Sequence, residues 1–270
     1  MKIVDVNLLQ RHFARIGART QVRWLDRLRN PGSVALDITR DSNGELFDIQ
    51  VLRGDSPDLE VLHAEPRQRH LLLMSRTSSD EKHKFLCGHD ERHWFVAAVP
   101  EDRGVSTVQT AMEALKPREV VGLQRRLQVR PKNWNRRKNK AFLRQGEWFF
   151  VPDPGVIIDE RYILMNEPLR RNNTGKPHMV EFLYRSGGET VYVCSQRPNG
   201  LTEAQYHTLI SRQPKAKAWG WQVMRRNPSV YVRGRIRHAD HATIVLPDWH
   251  RVLMNTESQA AAMRHVAFLD

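Results

Sequence analysis

Residues 34–40 and 45–51 alternate apolar and polar side chains on either side of Asp41-Ser42-Asn43-Gly44. That alternation has the period of a strand with one buried face, and Asn-Gly between two such runs is a strong local hairpin signal. Three more strand-like runs follow at 70–76, 83–87 and 93–99, the last closed by Pro100. Five strand candidates within about 70 residues leave little room for anything but an antiparallel sheet in this part of the chain.

The flanking segments follow other periods. In residues 1–30, Leu8, Leu9, Phe13 and Ile16, then Val22, Leu25 and Leu28, form the apolar face of one or two helices. Arg11, Arg15, Arg19, Arg23 and Arg27 lie opposite, and Asn30-Pro31-Gly32 stops the run. Residues 106–109 match a capping box for a helix running toward Leu115, Pro117 breaks or restarts it, and Pro131 ends a helix over 119–128.

Beyond residue 145 the strand pattern resumes at 146–151. Runs 180–184 and 190–194 flank Ser186-Gly187-Gly188 as a second expected hairpin. Thr202 with Gln205 opens a short helix that ends near Pro214. Runs 230–236 and 242–246 enclose a turn at 238–241, and a helix is expected over 258–268. The expected fold is α+β, predominantly antiparallel β-sheet with a few short helices, in two β-rich lobes. Residues 1–129 and 146–270 form the lobes, and 130–145 form a basic linker or arm, loosely ordered without its partner.

Apolar residues make up 40% of the 270, with seven Trp and nine Phe, enough for a real core. No run approaches the roughly 18 apolar residues of a membrane-spanning helix. The first residues lack the long apolar stretch of a secretory signal, and two cysteines do not make a disulfide framework. The expected setting is cytoplasmic, with no membrane partner.

Charge is segregated. Residues 116–144 hold eleven Lys or Arg against one acid, Glu119, and residues 212–237 hold eight with no acid, in a chain whose net charge is +13. Segregated positive charge points to a polyanion, and Lys and Arg neutralise phosphates independently of sequence. In the first block Arg125, Arg126, Arg130, Lys132, Arg136, Arg137, Lys138, Lys140 and Arg144 are the phosphate-gripping candidates, with Trp134 as a base-stacking surface. In the second, Arg225 and Arg226 join Arg233, Arg235 and Arg237, which alternate along one strand as a ladder.

Two clusters carry metal-ligating residue types. Cys87, His89 and His93 supply three zinc-type ligands within seven residues, although the spacing fits no standard finger and also suits a β-turn. His238, Asp240, His241 and His250 mix the residues of a metal-dependent hydrolase, but lack the helical spacing that brings two imidazoles onto one ion. P-loop, dinucleotide-binding, nucleophile-elbow and paired-cysteine motifs are all missing.

The leading expectation is a nucleic-acid-binding protein, for RNA or single-stranded DNA, within a nucleoprotein complex and needing no cofactor. One alternative is a metal-dependent nuclease or phosphoesterase using the histidines with zinc or manganese. The other is a structural adaptor whose basic arm meets an acidic protein.

Overall fold

Asp5 accepts a hydrogen bond from the Leu8 amide at 2.9 Å and starts helix α1 (Val6–Arg15), which buries Leu9 and Phe13. Gly17, at φ 77°, turns the chain out of the helix. The structure is a computed structural model and describes residues 4–28, 32–55, 57–77, 79–101, 104–171 and 176–260.

After α1 come β1 (Thr20–Leu25), β2 (Val34–Asp41) and β3 (Gly44–Leu52), then β4 (Asp58–Glu65), β5 (His70–Arg76), β6 (Lys82–Asp90) and β7 (His93–Val99). Two helices follow, α2 (Val108–Ala114) and α3 (Arg118–Arg126). The rest of the chain gives β8 (Leu143–Gln145), β9 (Trp148–Pro152), β10 (Leu164–Leu169), β11 (His178–Ser186), β12 (Glu189–Cys194) and β13 (Arg197–Thr202). Helix α4 (Glu203–Arg212), β14 (Gln222–Arg226), β15 (Ser229–Arg237) and β16 (Ile244–Met254) complete it. The strands form four sheets, ordered β1-β3-β2, β4-β5-β6-β7, β10-β11-β15-β16-β9-β8 and β13-β12-β14. All pairings are antiparallel except β1 with β3, so the α+β, mainly antiparallel expectation holds.

The β4–β7 sheet is buried on both faces. Leu71, Leu73 and Phe85 pack toward α1 and the β1-β3-β2 sheet, joining Phe13, Phe47 and Ile49. Leu72, Leu86 and Val99 pack the other way onto Ala111 of α2. That double burial explains why 70–76 reads as a nearly unbroken apolar run. Phe150, Val180, Leu183, Val232, Ile236 and Leu246 form the core of the six-stranded sheet. Each fully buried Phe, Leu or Val of this kind contributes about 1.5–3 kcal/mol.

The two halves are tied at the end of the described chain. The Thr256 hydroxyl donates to the Ala114 carbonyl at 2.7 Å, and buried Glu257 accepts from the Ala98 amide at 3.3 Å and from Arg171 at 2.8 Å. Burial pushes the Glu257 carboxyl above its usual range, against the pull of Arg171.

Local expectations fare unevenly. The Asn43-Gly44 hairpin, the strands at 70–76 and 93–99, and the capping box of Thr202 with Gln205 stand where the sequence puts them. The first-half capping box pairs Thr107 with Thr110 instead of spanning 106–109. The second N-terminal helix is replaced by β1: its residues pair with β3, and Arg23 is drawn out of the arginine series to bond the buried Asp48. A single 3₁₀ turn, Glu257–Gln259, opens the segment expected as a C-terminal helix, and 261–268 lie outside the described residues.

The expected hairpin at Ser186-Gly187-Gly188 is a different object. Strands β11 and β12 do not pair with each other. Both pair with the β14–β15 side, and the register runs on across the glycines, Ser186 facing Ser229 and Glu189 facing Arg226. They form one long two-stranded ribbon, kinked at the glycines, that passes from the six-stranded sheet into the β13-β12-β14 sheet. Gly188 has φ +80°, and a Cβ there would stand 2.7 Å from the Arg226 carbonyl oxygen. Only glycine allows that approach.

Candidate functional site

The basic arm is packed against the protein. Residues Pro131–Asn133 make a 3₁₀ turn, Lys138 bridges to Leu143, and Ala141 and Phe142 are buried with Val120, Val129 and Phe149. Trp134 belongs to this cluster. Its ring is half-buried and its indole N–H donates to the Val129 carbonyl at 2.6 Å, so it packs instead of presenting a free stacking face.

The cations of the first basic block divide into two sets. Lys116 is buried, with its ammonium on Glu113, Gln124 and the Trp134 carbonyl at 2.5, 3.2 and 2.9 Å, and burial lowers its pKa. Arg137 contacts Asp90 and lies 2.5 Å from Glu91. Arg144 lines an interior cavity, and burial lowers its pKa too. The other set, Arg118, Arg125, Arg126, Arg130, Lys132, Arg136, Lys138 and Lys140, is exposed and forms no ion pair among the described residues.

The second block is partly neutralised by acids from outside its own segment. Arg226 pairs with Glu189 at 2.5 Å and Arg235 with Glu181 at 3.2 Å. Arg233 lies over the rings of Phe182 and Trp249, Arg237 reaches Asn166 at 3.3 Å, and Arg225 reaches the Gly188 carbonyl at 3.4 Å. The three-arginine ladder exists, but its members are engaged along the sheet surface.

Between the β4–β7 sheet and the six-stranded sheet lies a cavity of about 590 Å³. One wall comes from Glu45, Asp90 and His93, and the opposite wall from Gly146, His178 and the loop holding His238, Asp240 and His241. An acid–histidine chain crosses it: His93 Nδ1 lies 2.5 Å from Glu45, its Nε2 3.6 Å from Asp240, and Asp240 accepts from Lys176 at 3.0 Å.

The feature of this cavity invisible in the sequence is His178. It is the first residue of β11, and the pairing of Met179 with Arg237 sets it beside the loop that follows β15. One ring nitrogen from each of His178, His238 and His241 lies within 4.8 Å of the others. The His178 ring stacks on His238 with centroids 4.2 Å apart and an interplanar angle of 23°, and lies 5.6 Å from His241. Burial first, then the charges of His238 and His241, push the His178 pKa down to about 3. His241 is lowered by burial and by His238.

Each imidazole is oriented differently. His238 Nε2 lies 3.2 Å from the Lys176 carbonyl and its Nδ1 accepts from the Asp240 amide at 3.1 Å, which places the proton on Nε2. His241 Nδ1 lies 3.5 Å from Glu91, an ion-pair distance too long to satisfy that buried nitrogen with a hydrogen bond. Glu91 itself accepts from the Ala242 amide at 2.7 Å. Gln145 donates to the Ala242 carbonyl at 2.6 Å, so both sides of the loop are held.

The remaining candidates do not converge. His250 is buried in β16 opposite Val232, with Nδ1 2.7 Å from the Asp248 carbonyl, and is not part of the trio. Cys87 is buried in the core of the β4–β7 sheet, where burial raises its thiol pKa. His89 sits against Trp94, its direct partner across the β6–β7 pair, while His93 is taken by Glu45. The hairpin explains this. Strand β6 continues to Asp90, and alternation puts Cys87 and His89 on one face and His93, opposite Asp90, on the other.

Comparison with known proteins gives no family model, no curated protein and no solved structure that matches this chain. Among the described residues, no helix is long and apolar enough to cross a membrane.

Proposed function

We propose that the protein binds nucleic acid, RNA or single-stranded DNA, through the exposed cations of residues 118–140. The observation that carries this reading is the set of eight exposed Lys and Arg without acidic partners among the described residues, on a segment whose backbone is anchored by buried Val129, Ala141 and Phe142. Free cations on a fixed backbone release phosphate counterions without a large ordering cost, whereas cations already paired with Glu must first give up that pair. With Trp134 packed into the core, grip on the phosphate backbone dominates over base stacking, and sequence preference is weak. A cytoplasmic nucleoprotein complex is the setting this reading fits.

The test is a titration of labelled single-stranded RNA, single-stranded DNA and duplex at about 50 and about 200 mM salt, a range over which phosphate-driven binding weakens steeply. It compares the wild type with a variant carrying Gln at Arg125, Arg126, Arg130, Lys132, Arg136, Lys138 and Lys140. Steep loss of affinity with salt, and weak binding by the variant at both salts, are expected. Affinity indifferent to salt, or equal in the two proteins, overturns the reading. Displacement by an acidic peptide but not by oligonucleotide assigns the arm to a protein partner instead.

A further inference from the structure

We propose that His178, His238 and His241 form a binding site for a divalent first-row transition metal ion, zinc being the first to test. The inference rests on these three residues and stands apart from nucleic-acid binding.

The first support is convergence. A residue at the start of β11 and two from the loop after β15 bring ring nitrogens within 4.8 Å of one another. Three nitrogens around one tetrahedral zinc are about 3.4 Å apart, given Zn–N bonds near 2.0–2.1 Å. Closing the difference takes a rotation of the His178 and His238 rings out of their stack, since lone pairs lie in the ring planes and the planes are now 23° apart.

The second support is an unpartnered polar atom. His178 is only 3% exposed, and its Nε2 has no hydrogen-bond partner among the described residues. Leaving such a nitrogen unpaired is costly, and buried polar atoms without partners are rare enough to require a reason. Gly146 shows where this nitrogen looks. A Cβ on that residue, whose φ is +56°, would lie 3.2 Å from His241 Nε2 and 3.7 Å from His178 Nε2. Both nitrogens therefore face the one spot on the cavity wall that has no side chain.

The third support is the outer layer. A histidine that ligates a metal usually donates its other N–H to a carbonyl or carboxylate, which fixes the tautomer. His238 Nε2 meets the Lys176 carbonyl, and His241 Nδ1 faces Glu91. The Lys176 contact leaves the lone pair on His238 Nδ1, where the Asp240 amide donates at 3.1 Å and must yield to the ion, and His241 Nε2 is the nitrogen turned toward Gly146. Three neutral nitrogen donors suit zinc, cobalt, nickel or copper and disfavour magnesium or calcium, which prefer oxygen. Three protein ligands also leave a fourth position for water or an anionic ligand, the arrangement of reactive zinc sites.

The experiment uses the full chain stripped with a chelator, titrated with Zn²⁺ by calorimetry and with Co²⁺ by visible absorption. One equivalent should bind, the Co²⁺ protein should show the intense bands of a nitrogen-ligated tetrahedral ion, and Mg²⁺ should not compete. H178Q and H241Q should each lose the bands and at least tenfold in affinity, while H250Q keeps both. Circular dichroism checks folding. If H178Q does not fold, H241Q, on the loop, decides. Absence of stoichiometric binding in the wild type, or unchanged binding in folded H241Q, overturns the proposal.

Discussion

Arg137 and Glu91 join the basic arm to the histidine loop. The guanidinium lies 2.5 Å from the Glu91 carboxylate, and that carboxylate accepts from the Ala242 amide at 2.7 Å, one residue after His241. A cation that looks in sequence like one more phosphate contact is thus a structural clamp. Its neighbour Arg136 is exposed and has no such partner.

The two adjacent arginines should therefore separate cleanly on mutation. R137A leaves Asp90 and Glu91 partly buried without their cation and should lower stability by about 1–2 kcal/mol, a figure kept small because Arg137 is itself partly exposed. Hydrogen exchange at the Ala242 amide should accelerate with it. R136A should leave the melting curve unchanged and weaken nucleic-acid binding. Equal stability of the two variants would refute the clamp.

The ribbon kink gives a second contrast, between neighbouring glycines. At Gly187, φ is +70° and a Cβ meets nothing within 4 Å, so G187A carries only the left-handed penalty of about 1–2 kcal/mol. At Gly188 the same penalty is joined by a 2.7 Å approach to the Arg226 carbonyl, a backbone atom that cannot rotate away. G188A should cost clearly more, about 3 kcal/mol. Denaturant melts of both variants measure the difference, and a G188A no worse than G187A would mean that the two sheets do not share this ribbon.

What the sequence made legible was local. Alternation across Asn43-Gly44, and Thr202 three residues before Gln205, carry their meaning within a few residues. Strand β4 carries no strand signal in sequence because a register shift between Val61 and His63 breaks its alternation. Strand β1 reads as a helix because arginines every fourth residue imitate one, while its actual partner, β3, lies beyond the intervening strand β2. The same limit hid half the candidate site. His238 and His241 lie in one recognisable loop, but His178 reaches them only through the β11–β15 pairing, with no motif linking the two segments. The charge blocks misled in the opposite sense: Glu181 and Glu189 lie outside the second block in sequence and on its arginines in space.

Buried Asp48 gives the fold a pH dependence of definite sign. It accepts from Gln21 at 3.1 Å, from Arg23 at 2.8 Å and from Gln50 at 2.7 Å. Burial pulls its pKa up, but the bonds from Arg23, Gln50 and Gln21 outweigh it and leave the carboxyl below its usual range. A depressed folded-state pKa stabilises the fold fully above the unfolded value, near 3.9, and the contribution disappears as pH falls through the folded one. D48N should cost about 2–3 kcal/mol at neutral pH and flatten the decline in stability below about pH 4. An acid limb as steep in D48N as in the wild type would assign that decline to other carboxylates.

Finally, the distinction between free and engaged cations can be tested at constant net charge. R125Q/R126Q and R226Q/R235Q each remove two positive charges, so a protein that held nucleic acid by overall charge alone would bind equally weakly in both variants. The first pair is exposed and unpartnered, whereas the second is bonded to Glu189 and Glu181. On a single strand, every phosphate left without its cation should reduce the slope of log affinity against log salt by about 0.7. R125Q/R126Q should therefore flatten the slope by about 1.4, while R226Q/R235Q changes it little and instead loosens the β12–β14 and β11–β15 pairings that those contacts bridge. Equal slopes for the two variants would place the polyanion on both blocks, and a larger effect in the second pair would move the interface from the arm to the β15 surface.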